Sequence, residues 1–309
     1  MIRLGLCCLF AEEPIRFRVT TVKALSRLSK TEQGEKLSGL CRHNAEALQQ
    51  ALQYCVGHQI GAFRVNSRIL PCCTHPEVGY RLTDLPEGRA IKDIFLKCGE
   101  YAKKHNLRTS FHPDQFVVLN SPRPEVVESS LSELNYQAEV AEWIGAEVIN
   151  LHGGGVYGDK ATALQSLRRT IDRLPPAIRS RLTLENDDRS YTPTDLFPVC
   201  RDMGLPLVYD VHHHRCLPDG CTIGEATQMA LSCWGKREPH FHISSPLIAW
   251  TKNGNHRPHH DYIDATDFPK EWRDLALTVD IEAKAKELAI ARLRKDLRRR
   301  GWSLWPSPD

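Results

Sequence analysis

Short apolar runs alternate with longer amphipathic segments along this chain, and that alternation limits its fold more than any other feature. Such alternation is typical of βα units, which pack as a parallel sheet. Eight alternations in 309 residues favour a (β/α)8 TIM barrel over an open doubly wound sheet. No GxGxxG motif follows the first run, which weakens a dinucleotide-binding alternative. The predicted strands are Ile2–Leu6, Ile60–Asn66, Leu107–His112, Glu147–His152, Leu182–Asn186, Leu207–Val211, His240–Ser244 and Leu277–Glu282.

Amphipathic segments between these runs predict the helices of the barrel. Residues 1–300 are expected to form a single domain, and residues 301–309, of which three are Pro or Gly, a loose tail. The final helix ends in the cationic run Arg298–Arg300, interpreted as a solvated helix end, with a DNA phosphate contact as the alternative. The predicted helices are Asn44–Val56, Ile91–Lys104, Glu125–Ile144, Thr162–Arg173, Pro193–Met203, Glu225–Cys233 and Ala283–Arg300.

Composition narrows the class of protein. The eleven cysteines are odd in number and form no CxxC motif, which favours reduced thiols. The chain starts without the pattern of a signal peptide, and no apolar window is long enough to span a membrane. We therefore expect a soluble cytoplasmic protein. A net charge of +3 does not by itself indicate a nucleic-acid binder.

Imidazoles and carboxylates recur where the predicted strands end. A single histidine at a strand end is more often a hydrogen-bonded structural residue than a ligand. Here strands three to eight all carry such groups, and the carboxyl ends of barrel strands lie on one face, so the side chains are expected to converge on one site. The candidate metal ligands are His112, His152, Glu185, Asp210, His213, His240, His242, His259 and Glu282.

The donor types indicate the class of metal. Mixed nitrogen and oxygen donors suit zinc, manganese, cobalt or iron better than magnesium or calcium. Cys216 and Cys221 lie close to His213 in sequence, so a thiolate ligand stays open, although their spacing forms no recognised zinc motif. Several shared ligands can hold two or three ions, an arrangement that promotes phosphodiester hydrolysis.

Seven motifs, in order along the chain, resemble the UV damage endonuclease family. They are IRLG, SFHPDQF, LHGGG, LEND, the Asp-x-x-His after strand six, HIS and EAKAKE, and they span Met1 to Glu287. LEND, HPDQF and EAKAKE together are far more specific than any single motif. The family resembles endonuclease IV and sugar isomerases in its barrel and metal cluster.

The resemblance implies an endonuclease that nicks double-stranded DNA immediately 5′ to UV photoproducts, both cyclobutane dimers and 6-4 photoproducts. The products would carry 3′-hydroxyl and 5′-phosphate ends, and the reaction would need no ATP or other nucleotide cofactor. The enzyme would act as a monomer with two or three divalent ions, Mn²⁺ first and Zn²⁺ or Co²⁺ as alternatives. Glu185 would be catalytic because it bridges two ions. His112 and His152 would complete the first metal site, and Asp210, His242 and Glu282 would complete the second. A third ion would be bound by His213 and His259.

Other positions would act on the DNA. His75 matches a family histidine near the scissile phosphate, and Gln115 and Phe116 match a pair that probes the lesion. The chain departs from the family at two positions. Leu6 stands where the family has a tyrosine that touches damaged DNA, and His240 stands where some relatives have a modified lysine. An imidazole at that position could ligate a metal directly, but it cannot be carboxylated.

Two alternatives remain at the level of sequence. A xylose-isomerase-like sugar isomerase or epimerase would use the same barrel and a similar metal site, but it would need a compact sugar pocket. A metal-stabilised DNA-binding protein without catalytic activity would need fewer buried ligands than this chain offers.

Overall fold

Eight parallel strands form the centre of the molecule in this computed structural model, which describes residues 1–306. Neighbouring strands follow the order β6-β5-β4-β3-β2-β1-β8-β7, and a parallel bridge between Asp210 and His242 joins the two ends of that order. The predicted barrel is therefore confirmed. The strands are β1 (Ile2–Cys7), β2 (Ala62–Val65), β3 (Arg108–Phe111), β4 (Val148–His152), β5 (Leu182–Glu185), β6 (Leu207–Val208), β7 (His240–Ile243) and β8 (Leu277–Ile281).

Helices cover the outside of the barrel, and none within residues 1–306 is long and apolar enough to cross a membrane. They are α1 (Val22–Leu25), α2 (Lys30–Gly57), α3 (Gly88–Lys104), α4 (Pro124–Ile144), α5 (Lys160–Asp172), α6 (Pro176–Arg179), α7 (Pro193–Met203), α8 (Val211–Cys216), α9 (Ile223–Ser232) and α10 (Lys286–Arg299).

Helix α2 begins fourteen residues before the predicted start at Asn44. The first half of the helix is polar and contains Gly34 and Gly39, so its apolar periodicity is weak. A capping box nevertheless defines its start: the Ser29 side chain accepts from the backbone N–H of Glu32, whose carboxylate accepts in return from the backbone N–H of Ser29.

The connection between β7 and β8 places a loop beside the strand ends. All of its residues are described, and only the short 3₁₀ turn Lys270–Trp272 among them is helical. An antiparallel bridge pairs Pro246 with His259, and the N–H of Leu247 donates to the carbonyl of Pro258 at 2.7 Å. This hairpin brings His259 back to the carboxyl end of β7.

The C-terminal segment is not the loose tail that its composition predicts. Leu304 forms a parallel bridge with Ile2 and is 3% exposed, and the Trp305 ring stacks on the Arg3 guanidinium. Apolar burial and backbone pairing thus attach residues 301–306 to the amino end of β1, and residues 307–309 lie outside the described part. Helix α10 runs back along the barrel toward this end, where the Arg298 side chain donates to Oε1 of Gln59, whereas Arg299 and Arg300 line a cavity with Ser245 and Pro246, directly after β7.

Candidate metal centre

Glu185, the last residue of β5, lies at the centre of the convergent side chains and is fully buried. Its Oε2 lies 3.0 Å from Nε2 of His112. Its Oε1 lies 3.0 Å from Nδ1 of His242 and 3.4 Å from Nδ1 of His213. The side-chain amide of Asn150 also donates to Oε2. One carboxylate therefore contacts groups from four different elements of the barrel.

Asn150 orients Glu185, and sequence analysis missed it. The strand register sets Asn150 opposite Thr183, and His152 opposite Glu185. The Thr183 hydroxyl donates to Oδ1 of Asn150 at 2.8 Å, which directs the amide nitrogen toward Glu185. The available signal was the two-residue alternation of β4, which puts Asn150 and His152 on the same face.

Asp210 starts a helix where the sequence predicted that a strand would continue to Val211. Its Oδ1 accepts from the backbone N–H of His213 at 2.8 Å, as an N-cap residue does. The Asn186 side chain bonds both backbone groups of Asp210 and holds it in place. The cap and the following turn of α8 bring His213 toward Glu185.

The helical geometry also separates the three consecutive histidines, which do not alternate as they would in a strand. His214 is buried and bonds the Tyr209 hydroxyl and the Asp219 carboxylate, so it has a structural role. Nearby, burial raises the pKa of the Cys216 thiol to about 11. Cys216 belongs to none of the groups of neighbouring donor atoms found around Glu185 in the described residues, so the geometry gives no support to a thiolate ligand.

The groups around Glu185 fit a divalent cation. Donor atoms of His112, His152 and Glu185 lie within 4.8 Å of one another, and the same holds for Glu185, Asp210 and His213. Seven buried side-chain atoms of the described residues have no hydrogen-bond partner, and two of them, Nδ1 of His152 and Oδ2 of Asp210, lie in these groups, where a bound cation would explain them.

The pKa values of the imidazoles around Glu185 shift in opposite directions. Burial acts to lower the pKa of His213, but the Asp210 and Glu185 carboxylates outweigh it and raise that pKa well above its usual value. Burial lowers the pKa of His152 to about 4, so its imidazole is neutral and has a free lone pair at pH 7. Burial acts to raise the pKa of Glu185, but the His242 imidazolium beside it outweighs that effect and holds the pKa well below its usual range. Glu185 is therefore ionised.

Two further charged residues, Arg64 on β2 and Asp280 on β8, were missed at the level of sequence. Nε of Arg64 donates to Oδ2 of Asp280 at 2.9 Å, and its Nη1 lies 2.7 Å from Oε1 of Glu282. Asp280 and Glu282 are two residues apart, so alternation along β8 would have placed both on the inner face. Gly5 faces the same carboxylate, because a Cβ there would overlap Oδ1 of Asp280.

The remaining predicted ligands lie next to this group. His242 Nδ1 lies 3.4 Å from Oε1 of Glu282, as well as beside Glu185. His259 lies further out, with Nδ1 3.1 Å from the Ser244 hydroxyl and 3.8 Å from Oε2 of Glu282. His240 lies deeper, with Nε2 3.1 Å from Oδ2 of Asp280.

The predicted DNA-contacting residues have different environments. Gln115 and Phe116 are exposed on the loop after β3, and Phe116 is 76% exposed. His75 lies in the loop after β2, where its Nδ1 accepts from the backbone N–H of Glu77, and it does not line the metal pocket. The expectation for Leu6 is wrong: its side chain is fully buried in the core, so it cannot touch DNA.

A pocket of 560 Å³ opens above the cluster, and its walls include His112, His152, His213 and Glu282. A second cavity of 440 Å³ shares Arg68 and Asp114 with it and is lined on its far side by Phe116. The exposed aromatic ring and the metal ligands therefore belong to one continuous surface.

Comparisons with known proteins agree on one family. The model of the family described as UV-endonuclease UvdE matches residues 2–301. A UV DNA damage endonuclease of Bacillus cereus (strain G9842) is 32% identical over 291 residues, 91% of this chain and 89% of that protein. The crystal structure of SacUVDE has a TM-score of 0.85 at 27% identity, covering 98% of this chain and all (100%) of that one. Endonuclease IV from Thermus thermophilus shares the fold, with a TM-score of 0.59 at 14% identity over 96% of this chain and 98% of that one. This chain is therefore an endonuclease that belongs to the UV-endonuclease UvdE family.

Proposed function

We propose that this endonuclease nicks duplex DNA immediately 5′ to cyclobutane dimers and 6-4 photoproducts, leaving 3′-hydroxyl and 5′-phosphate ends. The observation that carries the proposal is the buried, ionised Glu185 among imidazoles, beside donor atoms of His152 and Asp210 that have no protein partner. A buried charge with unsatisfied neighbours is costly unless a cation completes the site.

The ligands of two or three divalent ions, Mn²⁺ first, are the residues around Glu185. Bound there, such ions supply Lewis acidity and neutralise the charge that builds on the scissile phosphate. Glu185 holds the centre, Asn150 orients it, and the N-cap of α8 orients His213. The proposed ligands are His112, His152, Glu185, Asp210, His213, His242, His259 and Glu282.

Lesion recognition falls to the loop after β3. The exposed Phe116 ring can stack where a photoproduct disrupts base pairing, and Gln115 beside it can contact base edges. His75, in the neighbouring loop after β2, is proposed to contact a backbone phosphate. The enzyme acts as a monomer, because one chain supplies both the ligand set and the aromatic probe. The family resemblance supports a reaction without a nucleotide cofactor.

The test is incubation of the purified protein and Mn²⁺ with end-labelled duplexes that differ at one site. One carries a cyclobutane dimer, one a 6-4 photoproduct, one an abasic site, and one is intact. We expect a single nick 5′ to each photoproduct, a ligatable 3′-hydroxyl, and no product in EDTA. Preferential cleavage of the abasic duplex would contradict the proposal.

A further inference from the structure

Three residues beneath the proposed metal centre also have the composition of a metal site. Donor atoms of His240, His242 and Asp280 lie within 4.8 Å of one another, and all three residues are buried. By residue type alone, two imidazoles and a carboxylate would be expected to hold zinc or manganese.

A cation from the protein already lies in this group. Arg64 extends from β2 and directs Nε to Oδ2 of Asp280 at 2.9 Å and Nη1 to Oε1 of Glu282 at 2.7 Å. Its Nη2 lies 3.1 Å from Nε2 of His242. The guanidinium is nearly buried, with its side chain 11% exposed, and its contacts reach two carboxylates and one imidazole.

One carboxylate oxygen that a metal would need is already bonded to Arg64, whereas Nε2 of His240 and Oδ1 of Asp280 are buried without a hydrogen-bond partner. Oδ2 of Asp280 accepts from Arg64 and lies 3.1 Å from His240, while Oδ1 faces the Cα of Gly5. A divalent ion entering here would meet a fixed positive charge at close range in a poorly solvated site, where repulsion is strong.

We propose that Arg64 takes the place of a metal ion in the His240–His242–Asp280 cluster. His240 and Asp280 are then not metal ligands, and Arg64 is a positioning residue that holds Glu282 and His242 toward the ions around Glu185. This inference rests on the proposed metal centre, and it assigns His240 a role that differs from direct ligation.

Metal counting tests the inference. Wild type, His240→Gln, Arg64→Gln and Arg64→Lys are dialysed against Mn²⁺, and bound manganese per chain is measured by elemental mass spectrometry. We expect His240→Gln to hold as many ions as the wild type, with Mn²⁺ affinity within about twofold. Arg64→Gln should gain one weaker ion, because the freed carboxylates can then bind it, whereas Arg64→Lys keeps the cation and should gain none.

Glu185→Gln is the control that reports on the metal centre itself, and it should lose manganese. Loss of one ion per chain in His240→Gln, or an unchanged count in Arg64→Gln, overturns the inference and leaves the proposed function intact. A wild type that holds no manganese contradicts both. If Arg64→Gln does not fold, His240→Gln still decides, because it removes a proposed ligand without touching the guanidinium.

Discussion

Replacing Asn150 with leucine tests whether the orientation of Glu185 governs metal binding. The amide of Asn150 donates to Oε2 of Glu185 and accepts from the Thr183 hydroxyl at 2.8 Å, and all three residues are buried. Leucine has the same branched arrangement of side-chain heavy atoms but neither polar group, so the carboxylate loses its fixed direction. Asn150 is not itself a proposed ligand, which separates orientation from ligation.

The expected magnitude follows from these two hydrogen bonds. Loss of a group that orients a metal ligand costs about 10–100-fold in metal affinity, or roughly 1.4–2.7 kcal/mol. The Thr183 hydroxyl also loses its acceptor, which costs about 1–3 kcal/mol of folding free energy. Thr183→Val is the matched control: it removes the hydroxyl but keeps the bond from Asn150 to Glu185, so its effect on metal affinity should be smaller.

Calorimetric titration with Mn²⁺ measures the affinity, and urea unfolding in EDTA measures the stability of the same variants. Asn150→Leu is expected to lose both Mn²⁺ affinity and folding stability. Its loss of Mn²⁺ affinity should exceed that of Thr183→Val. Metal affinity within twofold of the wild type in a folded Asn150→Leu protein would refute it, because Glu185 would then be held correctly without the amide.

Three other predictions follow from the geometry. Phe116→Ala and Gln115→Ala should both retain metal. In gel-shift titrations, Phe116→Ala should weaken binding to a dimer-containing duplex by about 1–3 kcal/mol, with a smaller effect on intact duplex. Equal losses on both duplexes would argue against lesion detection. Duplex affinity should fall steeply with salt. Charge reversal at Arg298–Arg300 should leave that salt slope unchanged, because the run is interpreted as a solvated helix end, and a reduced slope would show a DNA contact. Gly5→Ala should lower the thermal midpoint and weaken Mn²⁺ binding, since a Cβ at Gly5 overlaps Oδ1 of Asp280, and a variant with unchanged melting and affinity would contradict this.

The sequence predicted the barrel well because its strands are short apolar runs separated by helical periodicity. Each of the eight predicted strands overlaps an observed one. The family resemblance drawn from the motifs is also confirmed by the match over residues 2–301. The strand ends carried most of the information about the site, since parallel strands in a barrel bring their carboxyl ends together.

Local context accounts for what the sequence did not predict. Asp210 ends β6 early because its side chain caps a helix, which depends on the position of one backbone N–H. Arg64 lies between apolar neighbours, and a charge in a buried strand was its only signal. Leu6 was placed at the DNA by position alone, whereas the strand buries it.

Ions held around Glu185 are proposed to cut DNA beside a photoproduct. Its most direct test is single-turnover cleavage of a duplex with one cyclobutane dimer, by wild type and Glu185→Gln at saturating Mn²⁺. The amide matches the carboxylate in shape but lacks the charge that faces His242 and His112. We expect the wild type to nick 5′ to the dimer and a folded Glu185→Gln protein to lose cleavage almost completely. Near-normal cleavage by Glu185→Gln would contradict it.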